Sequence, residues 1–574
     1  MFVAVHRFRA VCGCLRNWIE VMGKGMGWDR RRVSRRGLAA AGAGMLAALH
    51  SGTRARAQEF PPILPRPALR TPRFAPFADD LASRPAGRLL AQSRLILGAN
   101  VLELQEAMDA GLLSSRDLAA WCIERVRRFD ARRLRSVVEL NPDALRIAAA
   151  LDGERAAGRV RGPLHGIPVL LKDNIGTGDR LHTTAGAAAL IAARSDRDAL
   201  LVAALRQAGA LVLGKTNMSE WAYWMAWYAP SGFSSVGGQT LCPWGIGVDP
   251  FGSSTGSAVA IAGGFAPLAV GTETVGSIIA PSARASVVGM RPTLGLVSRD
   301  RVIPLSDEFD SAGPMTRCVT DAAAVLTAIA APVDPLDRMT AEAAGLQGTD
   351  FIAALDAGSL RGARIGVICD GPEAALPDEQ AIAYLGLERA AVAMRIAGAT
   401  VSVVRAEPFG VTYQSFDAPA SWSMGRGVDA YLQATGAPVA SLAEVVAFND
   451  TIPDRYAPWG QQRLQECIYS PLSEAEARSA AGDLRAGARA WLDALLDGGE
   501  CDALVGIDNL QSLAYPTAGY PAITVPLGAS VAGYPYGATF IGRRREDARL
   551  LGIAYAFERA TRWRILPDLA ALPL

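Results

Sequence analysis

Residues 252–277 read Gly-Ser-Ser-Thr-Gly-Ser-Ala-Val-Ala-Ile-Ala-Gly-Gly-Phe-Ala-Pro-Leu-Ala-Val-Gly-Thr-Glu-Thr-Val-Gly-Ser. A Gly/Ser/Thr turn opens directly into an apolar helical run. Pro267–Val270 follows as a short strand, and a second Gly/Ser turn closes the stretch at Ser277. Residues 256–271 carry no charge, but Gly263-Gly264 and Pro267 interrupt them and they are too short to span a bilayer. They read as core.

The same alternation recurs outward from this stretch. Gly166-Ile-Pro-Val-Leu-Leu-Lys172 is an apolar run bounded by Gly and Pro, as for a buried strand, and Ala199–Ala208 then Ala210–Leu213 repeat helix and strand. Strand, helix, strand in this order predicts an α/β fold, a sheet with helices on its faces. Upstream, Leu102, Leu104 and Met108 at helical spacing predict a helix from Val101, and Ser114 or Ser115 caps a second one reaching about Arg128. The Pro- and Arg-rich residues 60–77 read as exposed extended chain, so 58–100 is a lead-in and 101–574 one large domain. Residues 405–515, with scattered Trp and acidic groups, give no element assignment.

The 574 residues are half hydrophobic and one fifth charged, which suits a sizeable core, and a net charge of +2 gives no basic excess for nucleic acid. Residues 30–36, Arg-Arg-Arg-Val-Ser-Arg-Arg, precede an apolar run from Gly37 to Leu49 and then Ala55-Arg56-Ala57. Basic, apolar and A-x-A segments in that order predict a signal peptide over 1–57. Ser34-Arg35-Arg36 with Leu38 gives it the twin-arginine form, with the start at Met1, Met22 or Met26. The expectation is export, to a bacterial periplasm, with no permanent membrane anchor. The first 57 residues hold eleven basic and two acidic residues, so the remainder has 47 against 54, near −7. Its six cysteines (Cys122, Cys242, Cys318, Cys369, Cys467, Cys501) form no CxxC and read as buried small hydrophobes.

Scarce residues narrow the chemistry. Of four His, only His165 and His182 lie beyond the leader, which leaves too few for a catalytic zinc site and none for a hydrolase with a late His. Lys occurs only at 24, 172 and 215, against 55 Arg. Arg cannot deprotonate in a protein, whereas a buried Lys can be pushed toward neutrality and act as a base. Lys172 stands at the end of a buried strand, and a simple pairing with Asp173 is the competing reading. Gly252–Ser257 is no phosphate loop, since no Lys follows, and its Gly-x-Ser-x-Gly pattern lacks the His of a nucleophile elbow. A hydroxyl relay or a plain helix cap remains. Gly271–Ser277 could supply backbone N–H donors beside a nucleophilic Ser277, with Lys as the available base. Lys215 reads as structural, His182 as packing near the Lys172 loop, and the Trp221–Tyr228 aromatics as core more than pocket.

These segments resemble the amidase signature family. The resemblance rests on Gly252-Ser-Ser, Gly271-Thr-Glu-Thr-Val-Gly-Ser277, Val288-Gly-Met-Arg-Pro-Thr-Leu-Gly-Leu-Val297, Asp310-Ser-Ala-Gly-Pro314, Gly214-Lys-Thr-Asn-Met-Ser-Glu-Trp221 and Ala518-Gly-Tyr-Pro-Ala-Ile-Thr-Val-Pro526. It covers about 101–574 and looks closest to bacterial peptide amidases. It implies a single α/β/α domain with a mixed central sheet and a Ser-Ser-Lys triad: Lys172 the base, Ser253 the bridge beside a cis peptide bond, Ser277 the nucleophile. The backbone N–H groups of Thr274, Val275, Gly276 and Ser277 would form the oxyanion hole, with no metal or organic cofactor. Val275 stands where the family commonly has Gly, Ile279 where many members have Arg, and Thr255, Phe251 and Cys242 also depart. The preferred reading is hydrolysis of a linear carboxamide, a peptide C-terminal amide first. The alternatives are an aryl or aliphatic acylamidase or esterase, the A subunit of the tRNA-dependent amidotransferase, and a non-catalytic binding protein on this scaffold. An export signal and an acidic chain count against the amidotransferase. A Lys172 kept in a nearly Lys-free chain counts against the binding protein.

Overall fold

Strand β2 (Pro168–Lys172) is buried at all five positions, as are all six of β3 (Leu211–Thr216) and all six of β6 (Leu268–Glu273). β3 and β6 flank β2 and both run parallel to it. A parallel strand covered on both faces needs apolar residues on both, which is why these three read as continuous runs rather than alternations. The computed structural model describes residues 68–572 apart from 85, 331, 369–376, 406–408 and 531–532. The leader expected over 1–57 and Cys369 lie outside the described residues. Pro61–Leu574 forms one compact unit.

Eight further strands join these three in one sheet: β1 (Val137–Leu140), β7 (Val288–Arg291), β8 (Ser311–Thr316), β9 (Arg364–Ile368), β10 (Thr400–Val404), β11 (Ala503–Ile507), β12 (Ala522–Ala529) and β13 (Pro535–Gly542). The eleven strands are ordered β1-β3-β2-β6-β8-β7-β12-β13-β11-β9-β10. β4 (Phe233–Ser234) and β5 (Gly238–Gln239) make a separate small hairpin. Parallel pairs occur at β3/β2/β6 and β11/β9/β10; β1 and the centre from β6 through β8, β7, β12 and β13 to β11 pair antiparallel. The sheet is mixed and covered by helices, as the α/β expectation requires. The helix Thr255–Ala262 is buried at all eight positions, which accounts for its lack of charge.

The predicted helix at Val101 is present to Asp109, capped by Asn100 with Glu103 reaching back, and it buries Val101, Leu104, Ala107 and Met108. Ser114 caps the second: its hydroxyl accepts from the Asp117 N–H at 3.0 Å, and Ser115–Arg125 continues as a π-helix to Leu134. The lead-in is shorter than 58–100. Helical turns begin at Ala75, the helix Ala86–Gly98 follows, and Phe77 and Ile96 are each 1 % exposed in the main core. Pro76 in the first turn costs nothing, since its missing N–H would be unpaired there anyway, so Pro richness does not mark this segment as extended.

The unassigned residues 405–515 are mostly helical: Tyr413–Thr435, Leu442–Asn449, Pro453–Tyr456, Gln462–Ile468 and Glu474–Gly498, then β11. Pro419 inside the first, and the Ala, Gly and Arg content of the last, blur any apolar period. With Met218, Trp221, Trp224 and Phe309 they build a second apolar cluster beside the turns that end β2 and β6.

Candidate active site

Lys172, the last residue of β2, has no exposed surface. Its Nζ donates to Ser253 Oγ at 2.8 Å and to the Thr272 carbonyl at 3.0 Å. Burial pushes its pKa down to about 7, against the opposing pull of the Asp310 and Glu273 charges. The side chain does not pair with Asp173, which lies in the turn that follows the strand and makes other contacts. Asp173 instead accepts from the Thr184 hydroxyl and, at 3.4 Å, the Gly186 N–H, and burial raises its carboxyl to about 6.

The turn at 252–256 lies across the end of β6. Its Gly252–Ser253 peptide bond is cis and Ser253 is fully buried. A side chain at Gly252 would come within 2.4 Å of Ser219 Oγ, so only Gly fits. Ser254 ties three segments together. Its N–H donates to the Ser277 carbonyl (3.1 Å), its hydroxyl to the Thr272 carbonyl (2.9 Å), and the Thr272 N–H donates back to that hydroxyl (3.2 Å). Lys172 and Ser253 are thus joined directly, and the turn carrying Ser277 is held to theirs through Ser254.

Hydrogen bonds to two carboxylates, Asp310 and Glu273, shape the second turn. Thr274 donates its hydroxyl to Asp310 Oδ1 at 2.6 Å, while Asp310 Oδ2 accepts from the Leu305 and Ser306 N–H groups. Glu273 Oε2 accepts from the N–H groups of Ile278 (2.7 Å) and Ile279 (3.0 Å), fixing the start of the helix Ile279–Arg284 immediately after Ser277. Gly276 has φ +80°, a conformation that side chains rarely adopt. Among the described residues no protein group accepts from the N–H groups of Val275, Gly276 or Ser277.

Ser277 is 7 % exposed and opens into a cavity of about 330 Å³, shared with Thr274, Val275, Gly252 and Phe251. The far wall was not legible in the sequence. Tyr223, Trp224 and Trp227 line it, so the aromatic cluster read as core is pocket as well, although Trp221 and Trp224 are also buried. The Arg463 guanidinium lies 3.6 Å from the Trp224 ring centre and 4.1 Å from that of Trp227, and it pairs with Asp417 at 2.8 Å. Of the departures from the family pattern, Val275 faces this cavity and Ile279 is wholly buried among Leu504, Tyr515 and Ala522. An apolar group therefore fills the position where many members carry Arg.

The remaining predicted residues have structural contacts. Lys215 is buried and donates to the Ile175 carbonyl (2.5 Å) and Thr183 Oγ1 (2.9 Å), clasping the loop after β2. His182 Nδ1 lies 2.8 Å from Glu139 Oε1. Of the described cysteines, Cys122, Cys242, Cys467 and Cys501 are buried and unpaired; burial pushes the Cys122 thiol up to about 12. No group of three or more His, Cys, Asp or Glu suited to a metal, and no helix long and apolar enough to cross a membrane, occurs among the described residues.

A buried amine hydrogen-bonded to a buried serine, next to a turn whose Ser277 opens into an aromatic cleft, on an eleven-stranded mixed sheet, defines a hydrolase of the kind the motifs suggest. The profile of the amidase family matches residues 117–481, and the chain belongs to that family. Its structure is similar to that of the native peptide amidase from Stenotrophomonas maltophilia, at 42 % identity and a TM-score of 0.78 over 82 % of this chain and 98 % of that one. A probable amidase of Arabidopsis thaliana is 35 % identical over 84 % of this chain and 94 % of its own length. The A subunit of the glutamyl-tRNA(Gln) amidotransferase of Moorella thermoacetica is 32 % identical over 81 % and 98 %. The protein is an amidase-family enzyme acting on carbon–nitrogen bonds, structurally near peptide amidase.

Proposed function

We propose that this amidase removes the C-terminal amide of peptides through an acyl-serine formed on Ser277, with Ser253 as proton bridge and Lys172 as base. The observation that carries the triad is the 2.8 Å contact between Ser253 Oγ and Lys172 Nζ, an amine that burial brings to a pKa of about 7. Ser277 Oγ attacks the amide carbon while its proton passes to Ser253 and the Ser253 proton to neutral Lys172. The oxyanion is held by the backbone N–H groups of Thr274 to Ser277, of which the last three have no protein acceptor among the described residues. Lys172 and Ser253 return the proton to nitrogen, the C–N bond breaks and ammonia leaves. Water, activated by the same pair, then cleaves the ester and releases the carboxylate. The peptide preference is supported by the aromatic cleft and by the likeness to peptide amidase.

Because the base must be neutral to accept a proton, kcat/KM falls about tenfold per pH unit below about 7 and levels off above it. A pH profile of kcat/KM on a neutral amide checks this; a profile still flat at pH 5 would remove Lys172 from the role. The substrate is tested by ammonia release from residues 58–574 with a panel of peptide amides and simple carboxamides. The reading requires peptide amides to rank first, and simple carboxamides ranking first would replace it with the acylamidase reading. We propose export by the twin-arginine route as well, carried by Arg35-Arg36 and the run after them. Replacing both Arg by Lys and finding the enzyme's compartment unchanged would overturn it.

A further inference from the structure

Asn509 belongs to no motif named above and lies two residues past β11, 232 positions after Ser277 in the chain. It nevertheless lines the cavity that Ser277 opens into. Its amide is pressed against the turn before the nucleophile: a side chain added at Gly276 would come within 2.2 Å of Asn509 Nδ2 and 2.7 Å of Oδ1. The left-handed Gly276 is therefore required twice, for its backbone and to leave room for this amide.

The amide is also oriented. The Tyr515 hydroxyl, on a side chain with no exposed surface, donates to Asn509 Oδ1 at 3.1 Å. Tyr515 is itself fixed in the packed cluster around Ile279, Leu504 and Ala522. With the oxygen engaged, the Nδ2 hydrogens are what Asn509 presents to the cavity. The N–H groups of Val275, Gly276 and Ser277 already offer enough donors for one oxyanion. Asn509 lines the cavity next to Gly276, so its donor is available to a second acceptor on the acyl group. In a peptide amide that acceptor is the carbonyl oxygen of the preceding peptide unit.

We infer that Asn509 is a substrate-binding residue whose Nδ2 donates to the peptide carbonyl preceding the scissile carboxamide, with Tyr515 as the residue that positions it. The inference rests on the peptide-amide reading and adds to it the chemical group by which a peptidyl amide is told from a simple carboxamide. A simple amide has no oxygen there, and the donor then gains no partner from the substrate.

The experiment compares two substrates, an N-acetyl-aminoacyl amide and an alkanamide of equal length lacking the inner carbonyl. They are assayed with wild type, Asn509→Ala, Asn509→Leu and Tyr515→Phe. Asn509→Leu keeps the bulk against Gly276 and adds no charge but removes the donor, so it and Asn509→Ala should lose about tenfold in kcat/KM on the N-acetyl substrate, mainly through KM, and less than about twofold on the alkanamide. Tyr515→Phe frees the amide to rotate and should give a smaller loss with the same substrate selectivity. Equal losses on both substrates, or an unchanged Asn509→Leu, would overturn the assignment. Wild type that releases ammonia from the alkanamide but not from the N-acetyl amide would instead sink the peptide-amide reading. A Ser277→Ala control inactive on both substrates assigns the measured turnover to this site.

Discussion

Ser277→Ala and Lys172→Met should each lower ammonia release at least about 10⁴-fold, the scale on which nucleophile and base fail when they act as a unit. The two variants separate chemistry from folding in different ways. Ser277→Ala removes one hydroxyl at a 7 % exposed position and keeps the carbonyl that accepts from the Ser254 N–H, so the melting curve should barely move. Lys172→Met should stabilise the chain. Its amine sits near pKa 7 in the fold and near 10.5 in the open chain, so between those values the unfolded state binds the extra proton. Stability from this group therefore rises with pH from about 7 to 10.5, and at pH 7 and below the fold bears the cost of burying an ammonium. An isosteric Met removes that cost, by up to a few kcal/mol at neutral pH. Urea unfolding at pH 7 and at pH 10 measures it: the variant should lead at pH 7 and the gap should close by pH 10. A Lys172→Met protein that is both inactive and strongly destabilised would mean the lysine holds the fold. A Lys172→Arg variant adds a charge-preserving control and should be as inactive, because guanidinium cannot take up a proton.

The largest loss of stability is expected from Arg291→Met. Arg291 closes β7 with no exposed surface and donates to three backbone carbonyls: Glu273 (2.7 Å), Phe309 (2.6 Å) and Pro516 (3.3 Å). Its Nη1 also lies 4.0 Å from Glu273 Oε1. One side chain thus joins the end of β6, the loop before β8 and the helix Ala514–Ala518. Met fills similar space but takes one donor from each of these carbonyls, of which Pro516 keeps the Gly519 N–H, and leaves the Glu273 carboxylate without its cation, for about 3–5 kcal/mol. The fall in the urea midpoint is the measurement, and a change below about 1 kcal/mol would refute the account. Because Glu273 Oε2 also holds the Ile278 and Ile279 N–H groups, whatever protein stays folded should show a lowered kcat. Glu273→Gln keeps an acceptor there, and should cost less in both respects.

These effects also show where reading from the chain stops. β2, β3 and β6 and the helix Thr255–Ala262 are legible because each is buried on all sides, and burial on all sides demands apolar residues. β8 is as buried, yet its Ser-Ala-Gly-Pro-Met-Thr carries no strand signal. It is a strand because β6 and β7 supply antiparallel partners on both edges, a context that no local preference encodes. The helices between 413 and 498 were hidden for a related reason, since they gain their order by packing on Trp221, Trp224 and Phe309, far upstream.

The sequence by itself determined the chemistry available to this protein. Scarce His and scarcer Lys point to hydroxyl and amine as the reactive set we propose, and the motifs around Lys172, Ser253 and Ser277 name the family to which the chain belongs. Tertiary structure decided what those groups meet. It brings Lys172 to 2.8 Å from a serine 81 residues away, strips the amine of water, and walls the cavity with Trp227, Asp417, Arg463 and Asn509. The division has a physical cause. Nucleophilicity and hydrogen-bonding capacity belong to a side chain wherever it stands, whereas desolvation, distance and cavity shape are properties of the groups packed around it, and those come from every part of the chain.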